Sequence, residues 1–179
     1  RDLILFAEHR PPRRSRCQVG EQVREVVAFE EARLEAEGIT VRVHLEPVPD
    51  IWADHNHLQE VLLHVLQNAQ HAMREADTGG VLSISVKLTA TGVRIEVRDD
   101  GPGIPPEHLP RIFNPFFTTK QPGDGRGLGL SVAHSIVTEH GGRIWAENIP
   151  EGGAVFTIDL PIGEPEPARE PLRFESRRL

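Results

Sequence analysis

The chain has 179 residues, of which 38% are hydrophobic and 26% are charged, a composition typical of a protein that buries a hydrophobic core. Its formal net charge of -7 argues against nucleic-acid binding, because a nucleic-acid-binding face needs an excess of Lys and Arg. A single cysteine, Cys17, excludes an internal disulfide and favours a reducing compartment, so we expect a cytoplasmic domain. No stretch is long and apolar enough to span a bilayer, so we expect no membrane contact by this segment.

The first residues predict a helix end followed by a linker. Residues 3–6 are apolar and typical of the end of a helix, which the Pro11-Pro12 pair would stop. Four arginines within residues 10–16 predict a solvated basic linker. Since the chain does not begin with Met, we expect it to be part of a longer protein.

Hydrophobic periodicity predicts the remaining elements, with three- and four-residue spacing for helices and strict alternation for strands. In chain order the pattern predicts a helix at 19–37, a strand at 39–45, a short strand at 51–52, a helix at 54–74, strands at 82–88 and 93–97, a short helix at 105–113, a helix at 128–140, and strands at 144–149 and 154–160. Residues 163–179 are rich in Pro and charge, which predicts a disordered tail or linker.

The helix predicted at 54–74 carries polar residues along the edge of its apolar stripe. Glu60, His64, Asn68 and His71 follow one another at helical spacing. The amide oxygen of Asn68 can ligate a hard cation such as Mg²⁺, and His64, one turn earlier, can reach the same ion or its phosphates. The alternative for Asn68 is a hydrogen-bonded residue at the edge of the core. A zinc site made by the histidines is disfavoured, because no Cys accompanies them.

The strand predicted at 93–97 leads into the sequence DDGPGI at residues 99–104. The carboxylate of Asp99 can accept a strong hydrogen bond from an amino group. Gly101 and Gly103 would allow the backbone to approach a flat ring closely. A plain Asp-Gly-Pro-Gly turn explains these residues about equally well.

A second glycine cluster, Gly125-x-Gly127-x-Gly129, opens a predicted helix. The free N–H groups and the dipole at a helix N-terminus stabilise phosphate oxygens. Lys120 and Arg126 would add positive charge nearby. No predicted strand leads into this cluster, so its context excludes a dinucleotide-binding Rossmann motif.

Five motifs follow one another along the chain in a recognisable order. They are Asn68-Ala69, DDGPGI at 99–104, IFNPFFTTK at 112–120, GRGLGL at 125–130 and GGAVF at 152–156. Together they resemble the catalytic, ATP-binding domain of two-component sensor histidine kinases, within the GHKL (Bergerat-fold) ATPase superfamily. The order and spacing make the resemblance specific over about residues 18–162. The Phe-Phe-Thr-Thr-Lys segment is most similar to the nitrogen-regulation-like branch.

This resemblance implies a fold and a domain organisation. The expected fold class is α/β, a two-layer sandwich in which three helices cover one face of a mixed sheet. Residues 18–162 would form the catalytic domain, and residues 1–17 would be the end of a dimerisation and phosphoacceptor helix with its linker. Residues 163–179 would be the tail. The implied cofactors are ATP and Mg²⁺.

The resemblance also implies roles for single residues. Asp99 would bind the adenine amino group, with Thr157 as a partner through water, and residues 114–127 would be a mobile lid that Phe116 and Phe117 pack against the core. Asn68 and His64 would face the metal. The implied catalytic residues are His64, Asn68, Lys120 and Arg126. The implied nucleotide-binding residues are Asn68, Asp99, Gly101, Gly103, Ile104, Phe117, Lys120, Gly125, Arg126, Gly127, Leu128, Gly129, Leu130 and Thr157.

The residue at position 64 departs from the usual pattern. Most sensor kinases have Asn one turn before the magnesium-binding Asn, and the chemotaxis kinases resemble this chain in having His. The ATP-hydrolysing relatives place there a Glu that activates water. With His64 in that position the usual base is missing, which favours phosphotransfer over hydrolysis. Glu60, a further turn away, is a poor substitute.

No His in the chain has the sequence context of a phosphoacceptor, and His9 precedes Arg10-Pro11. The resemblance therefore implies transfer of the γ-phosphoryl of Mg-ATP to a histidine on separate dimerisation helices of a homodimeric parent kinase. A response regulator would act downstream. The two alternatives are a GHKL-type ATPase clamp and a non-catalytic nucleotide-sensing module.

Overall fold

The computed structural model describes residues 12–76, 80–119 and 127–163. In chain order the elements are β1 (Ser15–Cys17), α1 (Val19–Ala36), β2 (Ile39–Leu45), β3 (Ile51–Ala53), α2 (His55–Glu75), β4 (Gly80–Leu88), β5 (Val93–Asp99), α3 (Gly129–Glu139), β6 (Arg143–Asn148) and β7 (Ala154–Leu160). Apart from the short helix predicted at 105–113, the helices and strands predicted from periodicity are confirmed to within a few residues at each end.

Five strands form one mixed sheet in the order β2-β4-β5-β7-β6. β2 runs parallel to β4, and the other neighbouring pairs are antiparallel. The parallel pair needs a long crossover connection, which α2 supplies, whereas a short turn closed by Thr89 and Gly92 joins β4 to β5. The α/β class and the mixed sheet expected from the sequence are confirmed.

The hydrophobic core lies between the sheet and the three helices. Alternate residues of the central strands point toward the helices, and Ile95, Val97, Phe156 and Ile158 are at most 1% exposed. From the other side α2 contributes its apolar stripe, of which Leu62, Val65, Leu66 and Met73 are almost fully buried. Burial of such side chains contributes about 1.5–3 kcal/mol each. The helix that carries Asn68 is therefore fixed firmly to the sheet that carries Asp99.

The opposite face of the sheet carries charged side chains that pair across strands. Arg94 Nε lies 2.6 Å from Asp159 Oδ1, and Lys87 Nζ lies 2.9 Å from Glu96 Oε1. Residues of each strand alternate between the two faces. This face is therefore distinct from the one on which the core and Asp99 lie.

Part of the predicted linker is a strand. Residues 15–17 form β1, which pairs antiparallel with β3, and Cys17 is fully buried. Arg14 and Arg16 are exposed as predicted, but their backbone belongs to the folded domain. The charge pattern concealed this strand, because strand pairing uses backbone groups and leaves basic side chains in water.

The predicted short helix at 105–113 is wrong in extent. Only one turn of 3-10 helix, Leu109–Arg111, forms there. Pro110 lies inside that turn and has no N–H to donate, so a longer α-helix cannot continue through it.

Several predictions fall on residues 1–11, 120–126 and 164–179, outside the described residues. They concern the helix end before the linker, the tail, and the roles of Lys120, Gly125 and Arg126. In the part of the chain that the structure describes, no helix has the length and apolar character needed to cross a membrane.

Candidate functional site

Asp99 ends β5 on the face that the helices cover, and it is 2% exposed. Its Oδ1 accepts hydrogen bonds from the backbone N–H groups of Gly101 (3.0 Å) and Ala154 (3.3 Å). The other carboxylate oxygen, Oδ2, takes part in neither of these two bonds. Burial raises the pKa of Asp99, and the neighbouring charge of Asp100 adds to this, while the two N–H groups oppose it. The site thus holds one oriented carboxylate oxygen for a ligand that donates a hydrogen bond.

The neighbouring Asp100 has a different task. Its two carboxylate oxygens accept from the backbone N–H of Val81, both at 3.0 Å, at the start of β4. A Cβ atom at Gly80 would lie 2.3 Å from Asp100 Oδ1, so only glycine fits beside this carboxylate. Of the two consecutive aspartates, Asp100 thus holds the start of β4, whereas Asp99 faces the interior.

Glycines shape the space around Asp99. A Cβ atom at Gly101 would lie 3.0 Å from Asp99 Oδ1, and one at Gly103 would lie 2.9 Å from Asn148 Oδ1. Gly103 has a φ of 77°, which favours glycine. Asn148 then fixes the loop, since its Oδ1 accepts from Ile104 N–H at 2.7 Å and its Nδ2 donates to Ile104 O at 2.6 Å.

Asn148 was missed by the sequence analysis. It lies at the end of β6 and clamps the loop that follows β5, and these two strands are separated in the sheet by β7. Nothing in the local sequence distinguishes it from an ordinary Asn before a turn. Only the strand order brings its amide to Ile104.

A second group of predicted residues meets where α2 passes the N-terminus of α3. A Cβ atom at Gly129, the first residue of α3, would lie 3.0 Å from His64 Nδ1. Leu128, at the N-cap, provides no side-chain cap for the first amides of the helix. These amides and the helix dipole can therefore stabilise an anion that lies close to His64.

Asn68 lies one turn after His64 on α2 and is half-buried. Its side-chain amide makes no hydrogen bond to the described residues. His64 Nε2 is 3.7 Å from Glu60 Oε1, the preceding turn's carboxylate. The described residues contain no cluster of three or more acidic, His or Cys side chains that could hold a metal. A magnesium ion at Asn68 would therefore need phosphate oxygens and water as its other ligands.

The two predicted lid phenylalanines, Phe116 and Phe117, lie in the loop just before residue 120. The structure places their side chains in different environments. The ring of Phe117 packs between His108, at 5.4 Å between ring centroids, and the Arg111 guanidinium, at 4.9 Å. Phe116 is 71% exposed. The prediction that Phe116 packs the lid against the core is thus wrong. The backbone of Phe116 has a φ of 65°, which turns the chain, and its N–H donates to Gly127 O at 2.9 Å.

The prediction that Thr157 contacts the adenine through water is also wrong. Thr157 pairs with Glu96 and Trp145, and it lies between Phe156 and Ile158, whose side chains point into the core. Because strand residues alternate, Thr157 points to the opposite face of the sheet from Asp99. The residue of β7 that contacts Asp99 is Ala154, through its backbone N–H, and the period of two along β7 could have identified it.

The two groups suit the two ends of a nucleotide. The oriented, buried carboxylate of Asp99 with the glycine-lined space beside it fits the amino group and ring of a purine. The uncapped N-terminus of α3, which also includes Leu130, fits phosphates, and Asn68 fits their cation. α2 connects the two groups, since Met73 lies 3.3 Å from the position of a Cβ at Gly101 and His64 lies 3.0 Å from the position of a Cβ at Gly129.

Comparison with known proteins agrees with this arrangement. Residues 53–164 match the sequence profile of the histidine kinase-, DNA gyrase B- and HSP90-like ATPases. The sensor histidine kinase ZraS of Escherichia coli O157:H7 is 42% identical over 117 residues, which cover 65% of this chain and 24% of that protein. The sensor protein FixL of Bradyrhizobium diazoefficiens is 35% identical over 129 residues, which cover 72% and 25%. The chain spans about a quarter of the length of these relatives.

Solved structures show the same fold. The catalytic domain of histidine kinase ThkA superposes with a TM-score of 0.74 at 35% identity, covering 83% of this chain and 95% of that one. Full-length ShkA in complex with AMPPNP gives 0.77 at 28% identity, covering 89% and 34%. ThkA in complex with the response regulator TrrA gives 0.75 at 30% identity, covering 90% and 46%. The chain therefore belongs to the histidine kinase-, DNA gyrase B- and HSP90-like ATPase family, as an ATP-binding domain of the sensor histidine kinase type.

Proposed function

We propose that this domain binds Mg-ATP and transfers its γ-phosphoryl group to a histidine on the dimerisation helices of a parent kinase. The observation that carries the proposal is the pairing of a buried, oriented Asp99 carboxylate with an uncapped helix N-terminus beside His64. Glycines line both ends. Bound Mg-ATP would supply the phosphoryl group, and the residues of this chain would position it and neutralise its charge.

Each end of the site has a separate task in this proposal. Asp99 Oδ2 accepts a hydrogen bond from the adenine amino group, and Gly101 and Gly103 leave room for the ring. The first amides of α3, at Gly129 and Leu130, hold phosphate oxygens. Asn68 provides an oxygen ligand to Mg²⁺ that accompanies those phosphates. Lys120, Gly125 and Arg126, outside the described residues, remain predicted phosphate contacts.

The environment of His64 supports transfer rather than hydrolysis. Its Nδ1 faces the position where a Cβ of Gly129 would lie, so the imidazole stands beside the proposed phosphate site. The relatives that hydrolyse ATP have a carboxylate base in the corresponding position. Glu60, the nearest carboxylate along α2, is exposed and one turn further from α3. A water molecule beside the phosphates would therefore lack a carboxylate base among the described residues.

The proposed role in phosphotransfer also implies two partners, a parent kinase and a response regulator. ThkA, which has this fold, was crystallised with the response regulator TrrA. By this likeness we propose that the parent protein is a homodimeric kinase whose phosphohistidine passes its phosphoryl group to a response regulator. We place the domain in the cytoplasm, and its assignment to the nitrogen-regulation-like branch remains a prediction.

The test of this function has two stages. Calorimetry with AMPPNP, with and without Mg²⁺, should show nucleotide binding that Mg²⁺ strengthens, and Asn68→Ala should remove the Mg²⁺ effect while adenosine still binds. The domain should then phosphorylate a histidine on separately supplied dimerisation helices of a related kinase. Binding that ignores Mg²⁺, or a labelled product stable in acid but not in base, would contradict the proposal, because phosphohistidine is acid-labile.

A second candidate is an ATPase clamp, which the 3.7 Å separation between Glu60 Oε1 and His64 Nε2 favours, because a carboxylate and an imidazole side by side can together position a water molecule for attack. Steady phosphate release by the domain alone, lost in both Glu60→Gln and His64→Ala, would support the clamp. Phosphate release that stays at the uncatalysed rate would leave phosphotransfer as the function.

A further inference from the structure

The residue that follows α3, His140, is buried between two helix ends. Its Nδ1 lies 2.8 Å from the carbonyl oxygen of Ile136, in the last turn of α3. Its Nε2 lies 3.1 Å from the backbone nitrogen of Asp54, the N-cap residue of α2. A backbone carbonyl can only accept and a backbone N–H can only donate, so the ring is a neutral imidazole with its proton on Nδ1. One side chain thus bonds the C-terminus of α3 to the N-terminus of α2.

The two residues that precede β1 bond to the same junction. The N–H of Arg13 donates to Asp54 Oδ2 at 2.6 Å, and Arg14 Nη2 donates to the carbonyl oxygen of Glu139 at 2.6 Å. Asp54 Oδ1 meanwhile accepts from the first amides of α2. Asp54 therefore links three parts of the chain, namely the segment before β1, the start of α2 and, through His140, the end of α3.

The other end of the same helix pair is the phosphate end of the site. His64 Nδ1 on α2 lies 3.0 Å from the position that a Cβ of Gly129, the first residue of α3, would take. From Asp54 to His64 the chain advances ten residues, about 15 Å of helix, and from Gly129 to His140 it advances eleven residues, about 16.5 Å. Because the start of α2 meets the end of α3 while His64 faces the start of α3, the two helices run antiparallel, and the matching lengths place one of these pairs near each end of α3. The hydrogen bond at His140 therefore holds α3 to α2 at the end opposite to Gly129 and His64.

We propose that His140 is a positioning residue that fixes the register of α3 against α2 and thereby the spacing between His64 and the N-terminus of α3. The consequence for ligands rests on the proposed function, in which that spacing receives the phosphates. The adenine end depends on β5 and β7 instead, and it should not respond to this register.

The charges around His140 keep it in the neutral form that makes both bonds. Burial lowers the pKa of His140, and Arg14 and His57 lower it further, while the Ile136 carbonyl and Glu139 oppose this. Asp54 is the remaining charged group at the junction, and it presents its N–H to the ring. The rings of His57 and His140 stand at 76° to each other, with their centroids 5.8 Å apart. Protonation at Nε2 would remove the acceptor for Asp54 N–H and add a cation beside Arg14.

The test compares two substitutions of one residue. His140→Leu removes both hydrogen bonds at similar volume, whereas the amide of His140→Gln can accept from Asp54 N–H and donate to Ile136 O. The matched control is His44→Leu, at an exposed His on β2, far from both helix ends. Affinities for Mg-AMPPNP and for adenosine are measured by calorimetry on the 179-residue chain, at a temperature where each variant is folded.

His140→Leu should weaken Mg-AMPPNP binding about fivefold or more, a usual size for coupling between sites, and leave adenosine binding within about twofold. His140→Gln and His44→Leu should keep the wild-type ratio of the two affinities. A residue with only a general structural role would lower the melting temperature and leave that ratio unchanged, and this result would overturn the proposal. Failure of the wild type to bind either ligand would contradict the proposed function instead.

An NMR titration of the wild type and of His140→Gln tests the role of His140 even if His140→Leu does not fold. The ¹⁵N shifts of the His140 ring report its titration, and the amide shift of Gly129 reports the far end of α3. The two should change with a common midpoint in the wild type, and the Gly129 change at that midpoint should vanish in His140→Gln. A Gly129 amide that ignores the titration of His140 would show that the register is set elsewhere.

Discussion

The two ends of the candidate site are built from different kinds of structure. The adenine end lies on the central strands β5 and β7, where Asp99 accepts from two backbone N–H groups and Gly153 fits against its carbonyl. The phosphate end lies where two helices meet, through the side chain of His64 and the backbone of Gly129. A strand ladder fixes every residue through the backbone, whereas helices can shift against each other when side chains repack. The adenine end should therefore be rigid and the phosphate end adjustable.

The largest effect should come from the tightest contact at the adenine end. A Cβ atom at Gly153 would lie 2.0 Å from the carbonyl oxygen of Asp99, and its φ is 88°. Gly153→Ala should reduce the free energy of unfolding by about 3 kcal/mol or more, because two central strands must separate. Gly152→Ala is the matched control, since its φ of 109° is also strained but nothing lies within 4 Å. If urea unfolding gave the same loss of unfolding free energy for both variants, the strands at the adenine end would be able to move apart without a large cost.

The next largest effect should be on nucleotide affinity. Asp99→Asn keeps an oxygen for the N–H groups of Gly101 and Ala154 but replaces the free carboxylate oxygen with a donor. Binding of adenosine and of AMPPNP should both weaken about 10- to 100-fold in calorimetry, the effect of losing a charge-assisted hydrogen bond. Asp100→Asn, which alters the neighbouring carboxylate that bonds Val81, should leave both affinities close to the wild type. Unchanged adenosine binding in Asp99→Asn would remove Asp99 from the adenine site.

A smaller and more selective effect should appear at the phosphate end. Gly129→Ala places a Cβ 3.0 Å from His64 Nδ1, so the imidazole must move. AMPPNP affinity should fall by about 1 kcal/mol, about fivefold, with adenosine affinity unchanged. The double variant His64→Ala, Gly129→Ala should lose less than the sum of the single variants, because the two residues act through one contact. Additive losses would mean that His64 and Gly129 act independently.

The smallest effect should be a pH dependence of stability, to which His140 and the adenine-end Asp99 contribute with opposite signs. The pKa of His140 is lowered in the folded state from 6.5, so as the pH falls through about 6.5 the unfolded chain takes up a proton that the folded chain resists. Stability is therefore lost in that range. The pKa of Asp99 is raised from 3.8, so its protonation stabilises the folded state as the pH falls further. Urea unfolding at pH 7.5 and at about pH 5.5 should show a smaller loss for His140→Gln than for the wild type. Parallel losses in both proteins would assign the pH dependence to other groups.

Local patterns in the sequence were enough to predict most elements of the fold. Alternation gave β5 and β7, helical spacing gave α2, and glycine after a helix gave the end of α1, where Gly38 has a φ of 73°. These signals are local, because the geometry of one strand or one helix turn fixes them. The motifs around Asp99 and Gly129 were found for the same reason, and the structure places the first beside β7 and the second beside His64. Their ligand contacts remain predictions.

The features that depend on contacts between distant parts of the chain were either missed by the sequence patterns or predicted wrongly. Thr157 was assigned to the adenine, but the register of β7 against β5 turns it to the other face and brings Ala154 to Asp99. The strand order brings Asn148 to Ile104, and the packing of α3 on α2 brings His140 to Asp54. The sequence by itself thus determined which segments fold into which elements and which short motifs could hold a nucleotide. Only the tertiary structure decided which side chains meet, because strand register and helix packing depend on contacts between residues far apart in the sequence and leave no mark on neighbouring residues.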